Sequence, residues 1–397
     1  MDTAPHRPLS AAFPLDSSPT ALSDLSVWQR LGGGDTAAEI MQQPALWDVL
    51  AQQITLLRAQ LHDFLGPCLQ HPQTRVLFTG AGSSGFIAEL IADALAAQWP
   101  AQLRAVHTTS LLTHPAQSLR GESPTVLVSF GRSGSSPESV AVIEQVRATV
   151  NHARFVNITC NAEGELARRG ADRADTHTIL MPAASCDKSF AMTSSLSCML
   201  LSALALFAPD PGPASAERLH NLATLARQAL AHWNTPVAAL AQQSFERVIY
   251  LGSGPLEALA REAALKLLEL TAGRVSVLAN TPLGFRHGPK SALNHNTLLI
   301  LLRSGQPLPR RYEQDLLDEL RRDGVAGQVL SLGPALDGSD DLSLPVPALD
   351  DPWLAPLWLL FAQLYALYRS TALGLTPDNP FPDGTVNRIV QGVTIYT

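Results

Sequence analysis

The stretch RVLFTGAGSSGFIAELIADAL, residues 75–95, opens with a short β-branched and aromatic run, turns through two glycines, and continues with helical spacing of apolar residues. A strand that enters a helix through a glycine turn is the first βα unit of an open parallel sheet. The same sentence recurs later in the chain. RVIYLGSGPLEALAREAALKL, residues 247–267, aligns with it without a gap, sharing the Arg-Val start, an aromatic residue and both glycines. A second, weaker pair supports the repeat, TVLVSFGRSG from Thr125 against TLLILLRSG from Thr297, slipped by one residue. Repeats of this length imply a duplicated α/β domain, because solenoid units are far shorter.

Further β-branched runs at RAVHTT from Arg104, RFVNIT from Arg154 and HTILM from His177 alternate with helical segments, which predicts a parallel sheet with crossover helices. Their near-continuous apolarity fits strands buried on both faces. Residues 1–25, rich in Pro, Ser and Ala, read as a mobile arm, and 26–72 as introductory helices. The first domain is expected over 73–210 and the second over 218–374, separated by the Pro/Gly-bearing PDPGPASAE at 209–217 and followed by a tail over 375–397. The apolar run Met192–Ala208 contains several hydroxyls and is short for a bilayer span, so it is read as a buried core helix.

Composition narrows the partners. With 397 residues, 46% hydrophobic content and a net charge of −7, the chain can bury large cores and has no dense Lys/Arg run for nucleic acid or an anionic membrane. A small molecule is the expected partner. Cys68, Cys160, Cys186 and Cys198 lack CxxC spacing, and no secretory pattern precedes them. They read as reduced thiols of a cytoplasmic protein, with neither a metal site nor a resident cofactor expected.

GAGSSG satisfies the glycine spacing of a dinucleotide loop, but that reading also needs an acid about 20 residues on to hold a ribose hydroxyl. The region there reads AVHTTSLLTH, residues 105–114, and has none. A glycine turn needed only for close packing remains open. A second loop, GRSGSSPES at 131–139, favours a phosphate instead. It also leaves a strand end and enters a helix, so Ser83 and Ser84 of one loop and Arg132, Ser133, Ser135 and Ser136 of the other can converge on one crevice. Serine hydroxyls with helix-start N–H groups make a metal-free anion cradle, and Arg132 would complete it. A Ser136 N-cap before Pro137-Glu138 would explain only part of that run. Asp187, in CDKSFAMTSS at 186–195, has the look of a helix cap and is a further substrate-binding candidate.

In the second repeat Glu262, Lys266 and Glu269 follow one another at spacings of four and three, which places them on one helix face. An ion pair is the plain explanation for the first two, but three charges on a helix of Ala and Leu suggest an inward-facing polar site suited to proton transfer. The second repeat has lost its serines: Ser83 and Ser84 become Pro255 and Leu256, and the SGSS run shrinks to RSG.

These motifs, with DKSFAMTSS, GFRHGPKS and DNPFPDGTVNRIVQGV, resemble the sugar isomerase (SIS) domain family. Within it they are most similar to the AgaS branch, tagatose-6-phosphate ketose/aldose isomerases also described as galactosamine-6-phosphate deaminase/isomerases. The resemblance covers nearly everything after residue 25. It implies two tandem domains, each a parallel sheet between helical layers in a flavodoxin-like three-layer sandwich. The two serine loops would hold the substrate phosphate, Glu269 would be the base, and His287 of the HGP motif, donated by the neighbouring subunit of a homodimer, would assist ring opening. Arg286 and Lys290 flank it as candidates for phosphate or dimer contacts. Related isomerase domains end in a tail lysine that reaches the substrate. TVNRIVQGVTIYT has no lysine, which leaves Asn387 and Arg388 as candidates for that place. The implied reaction converts D-galactosamine 6-phosphate and water to D-tagatose 6-phosphate and ammonia. The alternatives are plain aldose-ketose isomerisation, glucosamine-6-phosphate deamination and a non-catalytic sugar-phosphate sensor.

Overall fold

The structure, a computed structural model, describes residues 21–210, 212–336, 340–390 and 392–396. Ten strands form two five-stranded sheets. In the first, β1 (Arg75–Thr79), β2 (Gln102–Ala105), β3 (Thr125–Gly131), β4 (Ala153–Thr159) and β5 (Thr176–Leu180) are parallel in the order β2-β1-β3-β4-β5. In the second, β6 (Arg247–Gly252), β7 (Ser276–Asn280), β8 (Thr297–Leu302), β9 (Gln328–Pro334) and β10 (Leu342–Leu344) repeat it as β7-β6-β8-β9-β10. This is the doubly wound order in which the direction of winding reverses between the first and third strands, and ligands of such sheets bind at that switch. The helices that frame the sites are α1 (Gly34–Leu65), α2 (Ser83–Ala96), α3 (Pro137–Thr149), α4 (Ser194–Phe207), α5 (Gly212–Ala241), α6 (Pro255–Leu270), α7 (Pro307–Asp323) and α8 (Asp351–Ala372).

The repeat is visible in backbone angles. Gly82 (φ 56°, ψ −130°) and Gly254 (φ 55°, ψ −126°) cap α2 and α6 in almost the same conformation. The other glycine of each turn answers to space: a Cβ on Gly80 would collide with the main chain of Ser84, and one on Gly252 with that of Leu256.

Every residue of β1 is buried, as is every residue of β8, in accord with strands covered on both faces. Helix α4 is buried along its whole length, so its terminal groups must find partners inside the protein. Asp187 serves its amino end. At the carboxyl end, Arg58 donates to the carbonyls of Ala205 (3.2 Å) and Leu206 (3.0 Å), His62 Nε2 lies 3.1 Å from the Leu206 carbonyl, and Trp99 donates to Phe207 O at 2.6 Å. Acid at one end and base at the other also oppose the helix dipole.

Two compact units emerge, one of Gln42–Thr224 with residues from Phe381 on, the other of residues up to Met41 with Leu225–Pro380. These divisions differ from the boundaries read in the sequence. The Pro/Gly-bearing stretch at 209–217 is not a free linker, because α5 begins at Gly212 and tolerates Pro213 in its first turn. Helices introducing the first domain were expected over 26–72, yet residues up to Met41 join the second-sheet unit, where Asp378 accepts from Thr36 N and Oγ1, both at 2.7 Å. Residues 1–20 of the expected arm lie outside the described residues. The RAVHTT strand is shorter than its sequence pattern and ends at Ala105, with His107 capping a short helix instead.

Candidate functional site

The loops after β1 and β3 leave the carboxyl ends of adjacent strands, whose register pairs Thr79 with Ser129. Ser83 and Ser84 form the first turn of α2 and are buried; Ser84 Oγ lies 3.9 Å from Met192 Sδ. In the second loop Gly134 takes φ 61°, and Ser136 stands at the N-cap of α3. Its hydroxyl makes no capping bond, pairing with Ser139 Oγ at 2.7 Å, so the cap reading of the sequence holds in position but not in bonding. Ser135 Oγ donates to Ser133 O at 3.2 Å and accepts from Glu165 N at 3.2 Å, which makes it part of the loop frame. Ser133 Oγ accepts from Ser135 N at 3.3 Å. The strand ends therefore bring two hydroxyl loops side by side, at the switch point of the sheet.

Arg132 is buried, and its guanidinium grips main chain: Nη1 donates to the carbonyls of Ser189 (3.3 Å) and Phe190 (3.1 Å), and Nη2 to that of Arg388 (3.1 Å). Arg388 in turn donates to the carbonyls of Asp187 (2.9 Å) and Lys188 (2.6 Å). Phe190 and Phe381 pack at a tilt of 44° with centroids 5.2 Å apart. Asp187 is buried and its two oxygens accept from Thr193 N (2.8 Å), Thr193 Oγ1 (3.0 Å), Ser194 N (3.0 Å), Ser195 N (2.9 Å) and Ser195 Oγ. Its carboxylate is thus saturated as the cap of α4. Asn387 is exposed and, among the described residues, donates to Gly384 O at 3.4 Å.

In the second-sheet unit, α6 carries the three predicted charges on the face the spacing indicated. Lys266 Nζ lies 3.4 Å from Glu262 Oε1 and donates to Glu269 Oε2 at 2.7 Å. Side-chain exposure runs from 0% at Glu262 and 1% at Lys266 to 24% at Glu269. One ammonium between two carboxylates makes the burial tolerable, and Glu269 is the member that solvent, and hence a substrate, can reach.

His287 is exposed on the loop before Gly288 (φ 121°), and its imidazole has no hydrogen bond among the described residues. The cations beside it are committed elsewhere. Arg286 donates to Glu319 at 2.8 Å, while Lys290 bonds Glu319 and, at 2.7 Å, Asp323. These bonds, first from Lys290 and then from Arg286, hold the Glu319 carboxyl below its usual range. The two cations thereby tie the His287 loop to α7.

The sequence pattern did not mark the pair His107 and Glu89, 2.9 Å apart beside the first loop. A Cβ on Gly85 would collide with the His107 imidazole, and Glu89 lies one turn further along α2, so Gly85 at four residues before Glu89 was the only available signal.

No group of three or more His, Cys, Asp or Glu residues among those described could hold a metal ion, and no described helix is long and apolar enough to cross a membrane. The four cysteines are free thiols.

Residues 69–209 match the SIS domain family, a class of α/β domains. Over 364 residues the chain is 40% identical to D-galactosamine-6-phosphate deaminase AgaS of Shewanella sp. (strain ANA-3), covering 91% of each protein. Over 373 residues it is 40% identical to the Escherichia coli protein of the same name, covering 91% of this chain and 95% of that one. Among solved structures, tagatose-6-phosphate ketose/aldose isomerase from Escherichia coli superimposes with a TM-score of 0.84 at 36% identity, covering 96% of this chain and 99% of that one. The chain belongs to the AgaS family of SIS-domain proteins.

Proposed function

We propose that the chain is a hexosamine-6-phosphate deaminase/isomerase that converts D-galactosamine 6-phosphate and water to D-tagatose 6-phosphate and ammonia. The observation that carries this reading is its likeness, over nine-tenths of its length, to relatives named for that deamination. Ser83, Ser84, Ser133 and Ser136 hold the phosphate through hydroxyl and helix-start N–H donors. Arg132, Asp187 and Arg388 position that loop set, and Ser135 frames it. Glu269 takes the C2 proton of the open-chain amino sugar and returns it to C1. Removal at C2 gives the C1–C2 enaminol as the C1 oxygen gains a proton, delivery at C1 with loss of an N–H proton gives the C2 imine, and water adds to that carbon, expelling ammonia and leaving the ketose. Lys266 and Glu262 set the charge around Glu269. His287 moves the proton between ring oxygen and anomeric hydroxyl that opening requires. It comes from the partner of a cytoplasmic homodimer, whose loop Arg286 and Lys290 hold in place.

A second reading, isomerisation without loss of nitrogen, uses the same shuttle and is favoured by the name of the Escherichia coli structure. The purified protein mixed with galactosamine, glucosamine and mannosamine 6-phosphates separates them. Ammonia released from the galacto substrate, and lost in Glu269→Gln, is the expected result. Turnover of amine-free hexose 6-phosphates alone would select the isomerase, and binding without any turnover would refute both.

A further inference from the structure

The loops after β6 and β8 are the counterparts of the two serine loops, and their hydrogen-bond donors are already taken. Ser253 Oγ donates to Glu313 Oε1 at 2.8 Å, and Ser304 N–H donates to Glu313 Oε2 at 3.0 Å. One carboxylate therefore bridges both loops. Asp351 takes the remaining donors, Ser304 Oγ at 2.5 Å and Gly305 N–H at 2.8 Å. Arg303, itself buried, brings Nε to 3.4 Å from Glu313 Oε2. Two N–H groups, two hydroxyls and a buried guanidinium at the ends of adjacent parallel strands are the donor set of an anion site. Here Glu313 and Ser304 are fully buried and Asp351 is 5% exposed, so the anions come from the protein.

The first copy differs at the matching place. Glu313 is the seventh residue of α7, and the seventh residue of α3 is Ile143. An aliphatic side chain cannot accept a hydrogen bond, and the hydroxyls of Ser133, Ser135 and Ser136 bond only within their own loop and its immediate neighbours, to no carboxylate among the described residues. Neither carboxylate of the second copy would be worth burying without donors to receive it, and the donors would be left unsatisfied without the carboxylates.

We infer that the second sheet retains an anion site which Glu313 and Asp351 occupy from within, so that each chain takes up one sugar phosphate, and that this site, emptied of Glu313, accepts a small carboxylate or phosphate. The single stoichiometry rests on the phosphate reading of the first sheet; the self-occupied site does not.

Glu313→Ala removes the atoms of one acetate. In thermal melts at constant ionic strength, roughly 0.2 M acetate is expected to raise the melting temperature of this variant by about 3 °C more than that of the parent, with chloride giving no such excess. Glu313→Gln, which fills the space and keeps an acceptor oxygen, gains no such response. Equal responses in all three proteins overturn the inference. Should Glu313→Ala fail to fold, equilibrium dialysis of the parent with sorbitol 6-phosphate decides: one molecule per chain agrees, and two overturn it. Binding of none overturns the single stoichiometry together with the phosphate reading of the first sheet on which it rests.

Discussion

Arg132 and Arg388 lock onto one short piece of chain from two directions. Arg132 donates to the carbonyls of Ser189 and Phe190, Arg388 to those of Asp187 and Lys188, and Arg132 Nη2 closes the link on the Arg388 carbonyl at 3.1 Å. The carboxyl-terminal segment is thereby coupled to the serine loop in which Arg132 stands. Removing the Arg388 side chain frees two carbonyls and loosens that loop. Arg388→Ala is expected to raise the KM for the sugar phosphate about tenfold, with a smaller fall in kcat and faster proteolytic cleavage after Phe381. Arg388→Lys, which keeps a donor, recovers part of the loss.

On α6 Glu269 and Lys266 serve different ends. Glu269→Gln keeps the shape and the Lys266 contact, so kcat should fall by about 10²- to 10⁴-fold with sugar-phosphate affinity nearly unchanged. Lys266→Met withdraws the cation lying 3.4 Å from the buried Glu262 and should cost about 3–5 kcal/mol in chemical denaturation. A Lys266→Met protein as stable as the parent would contradict this account of the helix.

His287 is exposed and has no partner within its own unit, as a group meant for a neighbouring copy would be. If it acts across a two-fold dimer, Glu269→Gln and Glu-intact His287→Ala subunits complement each other. Each is inactive alone, and co-refolding equal amounts should restore about a quarter of the parent activity, because one of the two sites in every hybrid is intact. No recovery in verified hybrids would place His287 in its own subunit's chemistry.

Asp187 accepts five hydrogen bonds at the start of a helix with no exposed residue. Asp187→Ala strands those donors in the core and should destabilise the protein by about 3–5 kcal/mol. Urea unfolding measures this directly, and a loss below about 1 kcal/mol would mean that water replaces the carboxylate.

The other end of that helix sets a pH dependence. Burial pushes His62 below the ordinary imidazole value, outweighing its contact with Leu206 O. As pH falls, the unfolded chain takes up its proton first, so stability is lost on passing below about pH 6.5 towards the folded value. His62→Gln keeps a donor for Leu206 and cannot titrate. Its melting temperature should drop by about 1–2 °C less than the parent's between pH 7.5 and 5.5. Some slope persists, since burial also lowers His177.

The strands and the duplication were legible because they depend on neighbours in sequence: RVLFT and RVIYL carry their own β preference, and the two glycines of each turn recur at the same spacing. The face shared by Glu262, Lys266 and Glu269 was equally local. What Arg132 and Asp187 do was not, because their partners are set by folding. Arg132 reaches a carbonyl 256 residues away, and nothing in RSGSSP announces it. Glu313 and Asp351 belong to no motif in the sequence, which does not say which face of α7 turns towards Ser253 and Ser304. Unit boundaries escaped for a related reason: α1 and α5 continue through them as unbroken helices, α1 even past Pro44.

The paired turn glycines carry a stereochemical consequence. At φ 56° and ψ −130°, Gly82 holds the mirror image of an ordinary extended residue, and a Cβ added there would meet nothing within 4 Å. No distant part of the fold bars other residues from the position; the bar is local, the crowding of an L side chain against its own and the adjacent peptide groups. A D-alanine introduced at Gly82 or Gly254 by chemical ligation therefore suits these turns, whereas its L enantiomer strains them. Each copy thus enters its first helix through one achiral residue held in a backbone conformation of reversed hand, indifferent to what the loop binds.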